Sequence, residues 1–279
     1  MPFQYKKIVV IGATSGEWPD LRSSDAINRI KGIGEALADR FVDEGSFVVA
    51  VGRRKENLDA LASRHGHDKV ETVQFDITQL NDIQDFADKI VNAHSDVDCV
   101  VLNSGMQRKC DFSDPSSIDI DLVNLEFVTN YLSYLALTKA FLPFLQSKQR
   151  ESALIYVTSA LALVPIPRVS NYCATKAALH QWILCLREQL KPSNINVVEL
   201  YPPAVQTELH DEKHQPDVKN GRSMGMPLDE FTNQVGTPPK RLLLCQLSSS
   251  SFASCDIYLL TTSGIRRIRV CPKETSRCL

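Results

Sequence analysis

Six short apolar runs punctuate most of the chain. Ile8–Ile11, Phe47–Val51, Val70–Phe75, Val97–Leu102, Ala153–Thr158 and Ile195–Leu200 are rich in β-branched residues and hold little charge. Near-continuous runs of this length read as strands buried on both faces of a parallel sheet. Val70–Phe75 departs from this by alternating with period two. Between the runs the spacing changes. Glu35–Asp43, Lys55–Ser63 and Ile83–Ala93 place apolar residues three and four apart, the repeat of a half-buried helix. Two longer helical stretches run over Ile120–Leu145 and Ser170–Leu190. Strand and helix alternating in this way predict a single-domain α/β fold. Its centre would be a doubly wound, Rossmann-type parallel sheet with right-handed crossovers. Ligands on such a sheet bind at the carboxyl ends of the strands.

Those ends carry the polar chemistry. The first run leads into Gly12-Ala13-Thr14-Ser15-Gly16. Glycines there let the backbone turn tightly and approach a pyrophosphate seated on a helix N-terminus. Taken alone, the motif is equally an ordinary strand-to-helix turn. The second run ends Gly52-Arg53-Arg54, with no carboxylate between Phe47 and Lys55. NAD sites place a carboxylate here for the ribose 2′-hydroxyl. An arginine fork suits a 2′-phosphate, which favours NADP(H) over NAD(H). The plainer alternative is that both arginines open a solvated helix. Asp76 and Ile77 follow the third run, and Asn103-Ser104-Gly105 the fourth. Asp76 also reads as a helix cap or turn residue.

Ser159 closes the fifth run, Tyr172 comes thirteen residues later, and Lys176 lies one helical turn beyond it. A free phenol ionises near pH 10, and an ammonium beside it favours phenolate, as does an oxidised nicotinamide. Lowering it by about three units takes roughly 4 kcal/mol of differential stabilisation. The spacing therefore predicts a lowered Tyr172 acting as general acid/base. Ser159 would hydrogen-bond the substrate oxygen as charge develops there.

With these motifs in this order, residues 1–16 and 33–235 resemble a short-chain dehydrogenase/reductase. The resemblance implies hydride transfer between NADP(H) and a small-molecule carbonyl or secondary alcohol. It implies Asn130 as a fourth catalytic residue beside Ser159, Tyr172 and Lys176, anchoring a water between Lys176 and solvent. The implied cofactor site comprises Gly12, Thr14, Ser15, Gly16, Ile33 and Gly34 at the turn and Arg53 and Arg54 at the ribose. Asp76 and Ile77 would lie at the adenine, and Asn103 and Gly105 beyond it. Tyr172, Lys176, Pro202, Val205 and Thr207 would complete the set, the last two at the carboxamide. Pro203 stands where the family has glycine. Pro202-Pro203 followed by Thr207–His210, together with Met224–Phe231, is similar to the DltE-type branch of the family.

Two segments depart from the family. The glycine pattern is interrupted by sixteen residues, Glu17–Gly32; removing them restores GATSG-IGEALADRF. One reading is a surface excursion at the strand–helix junction. The other is a retained in-frame intron of sixteen codons, because Gly-Glu-Trp can encode a splice donor and Lys-Gly an acceptor in the same phase. After Val235 the family continues with a helix and a seventh strand. Residues 236–279 instead hold four of the eight cysteines, a Ser248–Ser251 run, and seven basic residues against two acidic ones. Leu242–Leu244 and Ile257–Leu260 each read as a short strand or half-helix. The expected organisation is thus an NADP-binding domain over 1–235, with the insert at 17–32, and an aberrant or low-order tail over 236–279. The last strand region would be missing or altered. The insert and tail open a second function class, a catalytically inactive isoform or a nucleotide-binding protein without turnover.

Composition changes this picture little. A net charge of −2 gives no reason to expect a nucleic-acid partner. No apolar run approaches the roughly 20 residues that span a bilayer, and the N-terminal Lys6-Lys7 is followed by too few apolar residues for a signal peptide. The expectation is a cytoplasmic protein without a membrane partner, with its cysteines as free thiols. The i,i+4 pair His210 and His214 lacks the glutamate of a zinc-protease motif, so no metal is expected. Ala204–Val235, rich in charge, Pro and Gly, is expected to be a mobile lid. A homo-oligomer is expected if the tail permits one.

Overall fold

The computed structural model describes residues 5–14 and 31–236, with backbone alone at 234, 236, 255–261 and 264–270. Six parallel strands form the sheet: β1 Lys7–Ile11, β2 Phe47–Gly52, β3 Val70–Gln74, β4 Cys99–Leu102, β5 Ser152–Val157 and β6 Ile195–Leu200. Their order across the sheet is β3-β2-β1-β4-β5-β6. The direction of travel reverses between β1 and β4. Right-handed crossovers then put the connecting helices on opposite faces either side of that point.

The core follows from this reversal. Strand side chains alternate, and in β1, β2, β4 and β5 both sets are buried, whereas the edge strand β3 exposes Glu71 and Gln74. Ile8, Val10, Val48 and Ala50 face helices α1 (Ile33–Asp43) and α2 (Lys55–His65), packing on Leu37, Phe41, Leu58 and Leu61. Val9, Ile11, Val49 and Leu102 face the other layer. There α3 (Ile83–Ala93), α5 (Ser133–Gln146) and α6 (Ser170–Leu190) bring Phe86, Phe141 and Leu179. Double-sided burial is why these strands read as unbroken apolar runs.

Most boundaries fall within a residue or two of expectation, and two differences have a visible cause. The fourth strand starts at Cys99 rather than Val97. The Asp98 carboxylate accepts from the backbone N–H groups of Lys6 and Lys7 at 3.1 Å each, so it joins the start of β1 through its side chain. The long helix expected over Ile120–Leu145 is not uniform. It runs as α4 (Ile120–Phe127), a π-helical segment Val128–Leu132, then α5. Asn130 sits in that segment and bonds both backbone groups of Met106, outside the helix, at 2.9 Å each. Single-turn π segments of this kind gather at functional sites.

Beyond β6 the chain makes two 3₁₀ turns, Glu208–His210 and Gly221–Ser223, and a helix α7, Leu228–Gly236, that packs on α1. The expected lid segment thus contains regular structure. Further on, β7 (Cys255–Thr261) and β8 (Gly264–Val270) form an antiparallel ribbon whose strands pair with each other and not with the six-stranded sheet. Ile257–Leu260 falls inside β7 as a strand. Leu242–Leu244 lies outside the described residues, as do Ser15, Gly16 and the insert from Glu17 to Ile30.

Candidate active site

The ends of β1 and β4 and the start of α1 converge on one turn. Gly12 has φ +89°, a conformation that glycine adopts without strain. Its N–H and that of Ala13 both donate to the Val51 carbonyl at 2.9 Å. A Cβ on Gly12 would stand 2.6 Å from the Ser104 nitrogen, and one on Gly34 would stand 2.1 Å from the Gly12 oxygen. Asn103 Nδ2 donates to that same oxygen at 3.1 Å. The first turn of α1 has Gly32 at its cap and no side-chain cap bond. Among the described residues no side chain caps its amides, the arrangement that suits an anionic ligand. A dinucleotide fits this cradle: bare glycine surface beside uncapped helix amides, on the carboxyl side of the sheet.

Thr14, Gly32 and Ile33 line a cavity of about 450 Å³ that starts at this turn. Gly34 lies behind it. Arg53 reaches the cavity with its side chain 42% exposed, Nη1 3.8 Å from Asp76 Oδ2. Arg54, expected beside it at the ribose, does not line the cavity. Its Nη1 pairs with Glu208 Oε2 at 3.0 Å, both side chains largely buried, which ties the end of β2 to the segment after β6. The electrostatic partner, invisible in local sequence, redirects that arginine. Asp76 and Ile77 line the cavity, and Asp76 Oδ1 also accepts from Thr78 N–H and hydroxyl at 2.9 and 2.8 Å. Asp76 is thus a turn residue that also faces the cavity.

At the far side, Ser159, Tyr172 and Lys176 line the same cavity, with Asn103 and Gly105 between them and the turn. Ser159 lies two residues past β5, and its hydroxyl favours the ionised form of the Tyr172 phenol. Its Oγ also accepts from Leu161 N–H at 3.1 Å. Tyr172 stands in the first turn of α6. Lys176, one turn on and buried, donates from Nζ to the Val157 carbonyl at 3.1 Å. A Cβ on Gly105 would lie 3.7 Å from Lys176 Nζ and 3.5 Å from Asn130 Oδ1. Asn130 is wholly buried behind the wall, its Nδ2 also donating to Thr175 Oγ1 at 3.1 Å. Pro202, Val205 and Thr207 follow β6 and line the cavity, Pro202 accepting from Ala160 N–H at 2.9 Å. His210 and His214 also border it.

The acid/base electrostatics of the chain alone differ from the expectation for Tyr172, which placed an oxidised nicotinamide beside the phenol. Its phenol is pushed up, not down. Burial is the main cause; the Ser159 hydrogen bond opposes it and the Glu126 carboxylate adds to it. Burial also lowers Lys176, to about 8, against the charges of Glu199 and Glu126. Spacing along α6 shows that Tyr172 and Lys176 are neighbours, but it does not show how dry their surroundings are. In this state the phenol holds its proton, as an acid for carbonyl reduction must. Glu126, which raises the phenol, carries no local sequence signal of its burial, because its partners Arg108 and Asn171 are distant in the chain.

A parallel sheet with order 3-2-1-4-5-6, a glycine turn at its switch point and a Ser-Tyr-Lys set across the cavity define a nicotinamide-dependent oxidoreductase class. The chain belongs to the short-chain dehydrogenase family, whose model matches residues 29–217. It is 32% identical over 184 residues to an uncharacterised oxidoreductase DltE of Bacillus subtilis, covering 65% of this chain and 70% of that one. It is 30% identical over 225 residues to a dehydrogenase/reductase SDR family protein 7-like of Drosophila melanogaster, covering 77% and 67%. Among solved structures, a short chain dehydrogenase from Burkholderia cenocepacia in complex with NADP superposes with TM-score 0.64 at 23% identity, over 83% of this chain and 82% of that one. An alcohol dehydrogenase from Thermococcus sibiricus complexed with 5-hydroxy-NADP gives 0.68 at 20% identity, over 88% and 99%. Membership makes the chain an oxidoreductase of the CH–OH/C=O class.

Proposed function

We propose that this chain is an NADP-dependent reductase or dehydrogenase of a small carbonyl or secondary alcohol. The observation that carries this is the single cavity joining the glycine turn and Arg53 to Ser159, Tyr172 and Lys176. NADPH, when bound there, would supply the hydride for the carbonyl carbon. Ser159 holds the substrate oxygen by a hydrogen bond, and Tyr172 gives that oxygen its proton. Lys176 keeps the phenol's surroundings cationic once its own proton is bound. Asn130 fixes Met106 and Thr175, and so the wall behind them. Gly12, Thr14, Ile33, Gly34, Asn103 and Gly105 shape the phosphate end, with Ser15 and Gly16 continuing the motif. Arg53 meets the 2′-phosphate, Asp76 and Ile77 the adenine, and Val205 and Thr207, after Pro202, the carboxamide.

Residues 1–235 form the cofactor-binding domain in this reading, the insert at 17–32 and the tail at 236–279 being additions to it. A cytoplasmic setting suits the described residues, where no helix is long and apolar enough to cross a membrane. Replacing Tyr172 with Phe tests the assignment. NADPH oxidation with an aromatic aldehyde or a diketone as acceptor should fall about a hundredfold or more, with NADPH affinity within a few fold. Retention of a tenth of the activity would end the acid/base role.

One observation favours a second reading. The sixteen-residue insert enters the phosphate turn itself, and the family match begins only at residue 29. A chain that binds NADPH and reduces neither acceptor would be the nucleotide-binding, non-turning-over isoform.

A further inference from the structure

Glu126 is a carboxylate that the chemistry above leaves unused. It is 1% exposed and stands in the last turn of α4. Its Oε1 accepts the backbone N–H of Arg108 at 3.0 Å, and its Oε2 accepts Asn171 Nδ2 at 2.5 Å. Arg108 ends the Met106–Arg108 stretch of the cavity wall, whose start is held by Asn130. Asn171 immediately precedes Tyr172, and its amide also donates to the Val123 carbonyl of α4 at 3.2 Å. One side chain thus clamps the cavity wall to the catalytic turn of α6.

An amide would accept the Arg108 N–H without the cost of burying an anion, but its nitrogen would then oppose the Asn171 Nδ2 donor, so the two bonds together call for both carboxylate oxygens. The charged groups around Glu126 give the carboxylate its use. From α6 come Tyr172 and Lys176, and from the wall comes Arg108. Cys173 also acts on Tyr172. The π-helical segment packed on α4 carries one titratable group, Tyr131, and α4 itself carries Asp121 in its first turn. Lys176 is the buried cation among them, and Glu126 and Glu199 are the two carboxylates that favour its charged form. Burial brings Glu126 itself up to about 7, with Asn171, the Arg108 N–H, Arg108 and Lys176 opposing. Its charge therefore changes across neutral pH.

We propose that Glu126 is a positioning residue of the acid/base pair, seating Asn171–Tyr172 through its hydrogen bonds and holding Lys176 cationic through its charge. The inference takes its meaning from the catalytic assignment of Tyr172 and Lys176, but its test requires no turnover. The chain is labelled with ¹³C at the lysine ε-carbons, and the Lys176 resonance is assigned by its loss in Lys176→Arg. Its titration midpoint is then measured by NMR. Glu126→Gln can keep the Arg108 bond but gives up the Asn171 bond together with the charge, so the Lys176 midpoint should fall by about half a pH unit or more. Glu126→Asp should stay near the parent value. An unchanged midpoint in a folded Glu126→Gln chain overturns the proposal. If that variant fails to fold, the parent chain decides. Its Lys176 resonance should show a second inflection near pH 7, where Glu126 gains its charge, and a single inflection overturns the proposal. Failure of the Tyr172→Phe test would remove the catalytic assignment and leave this electrostatic coupling standing.

Discussion

Arg53 and Arg54 are adjacent and chemically identical, yet the fold gives them different tasks. Arg53 is half exposed at the cavity, and among the described residues its ion-pair contact is Asp76 at 3.8 Å. Arg54 is spent on Glu208. Arg53→Ala should therefore weaken NADPH at least tenfold, about 1.4 kcal/mol, while NADH, lacking the 2′-phosphate, changes little. Fluorescence titration with both cofactors measures it, and equal losses would show that Arg53 does not read the phosphate. The same scale explains Tyr172. Its neighbour at i+4 is visible in the sequence, whereas the desolvation that lifts its phenol comes from the loops and helices folded over it.

At the scale of elements, the glycine turn is a contact between three of them. Gly34 opens α1 directly against the Gly12 carbonyl of β1 and the Asn103 amide after β4. Gly34→Ala places a carbon 2.1 Å from a backbone oxygen, so the helix must withdraw from the sheet. We expect a stability loss of about 1–3 kcal/mol and loss of measurable NADPH binding. Gly45→Ala is the control. It also has positive φ, +92°, but open space around the new carbon, so it should cost only the left-handed strain, about 1–2 kcal/mol, and leave cofactor binding intact. Urea denaturation and calorimetry on both variants separate close approach from backbone strain. Comparable binding in the two would mean that the Gly34 contact is not part of the cradle.

For the whole molecule the insert poses the sharpest question. Thr14 before it and Ile33 after it both border the cavity, so the described ends of the turn stay together across the added residues. A longer loop costs little, about 0.6 kcal/mol per doubling of length, and the family's βα crossover survives around it. The phosphate cradle is more exposed to damage than the fold. Deleting Glu17–Gly32 should raise NADPH affinity at least tenfold, about 1.4 kcal/mol, in calorimetry with the tail unchanged. Equal affinity would make the insert a tolerated surface loop. At the other end of the sheet, among the described residues, β6 pairs with β5 alone, and β7 and β8 pair with each other.

The strand–helix rhythm, the doubly wound class and the Ser159, Tyr172 and Lys176 set were legible in the sequence because each rests on local periodicity or short spacing. The helices over Ile83–Ala93 and Ser170–Leu190 and the strand Ile195–Leu200 were read to the residue for the same reason. Asn130 is different. Its place in a π-helical segment, behind the cavity wall, depends on a bond to Met106 twenty-four positions away. Arg54 is committed by Glu208, 154 positions on, and Glu126 by Arg108 and Asn171 across three elements. Burial and ion pairing are set by what the chain brings together from a distance. The sequence could therefore say which groups stand near the reaction, while only the tertiary structure decided which of them are dry, charged or already spoken for.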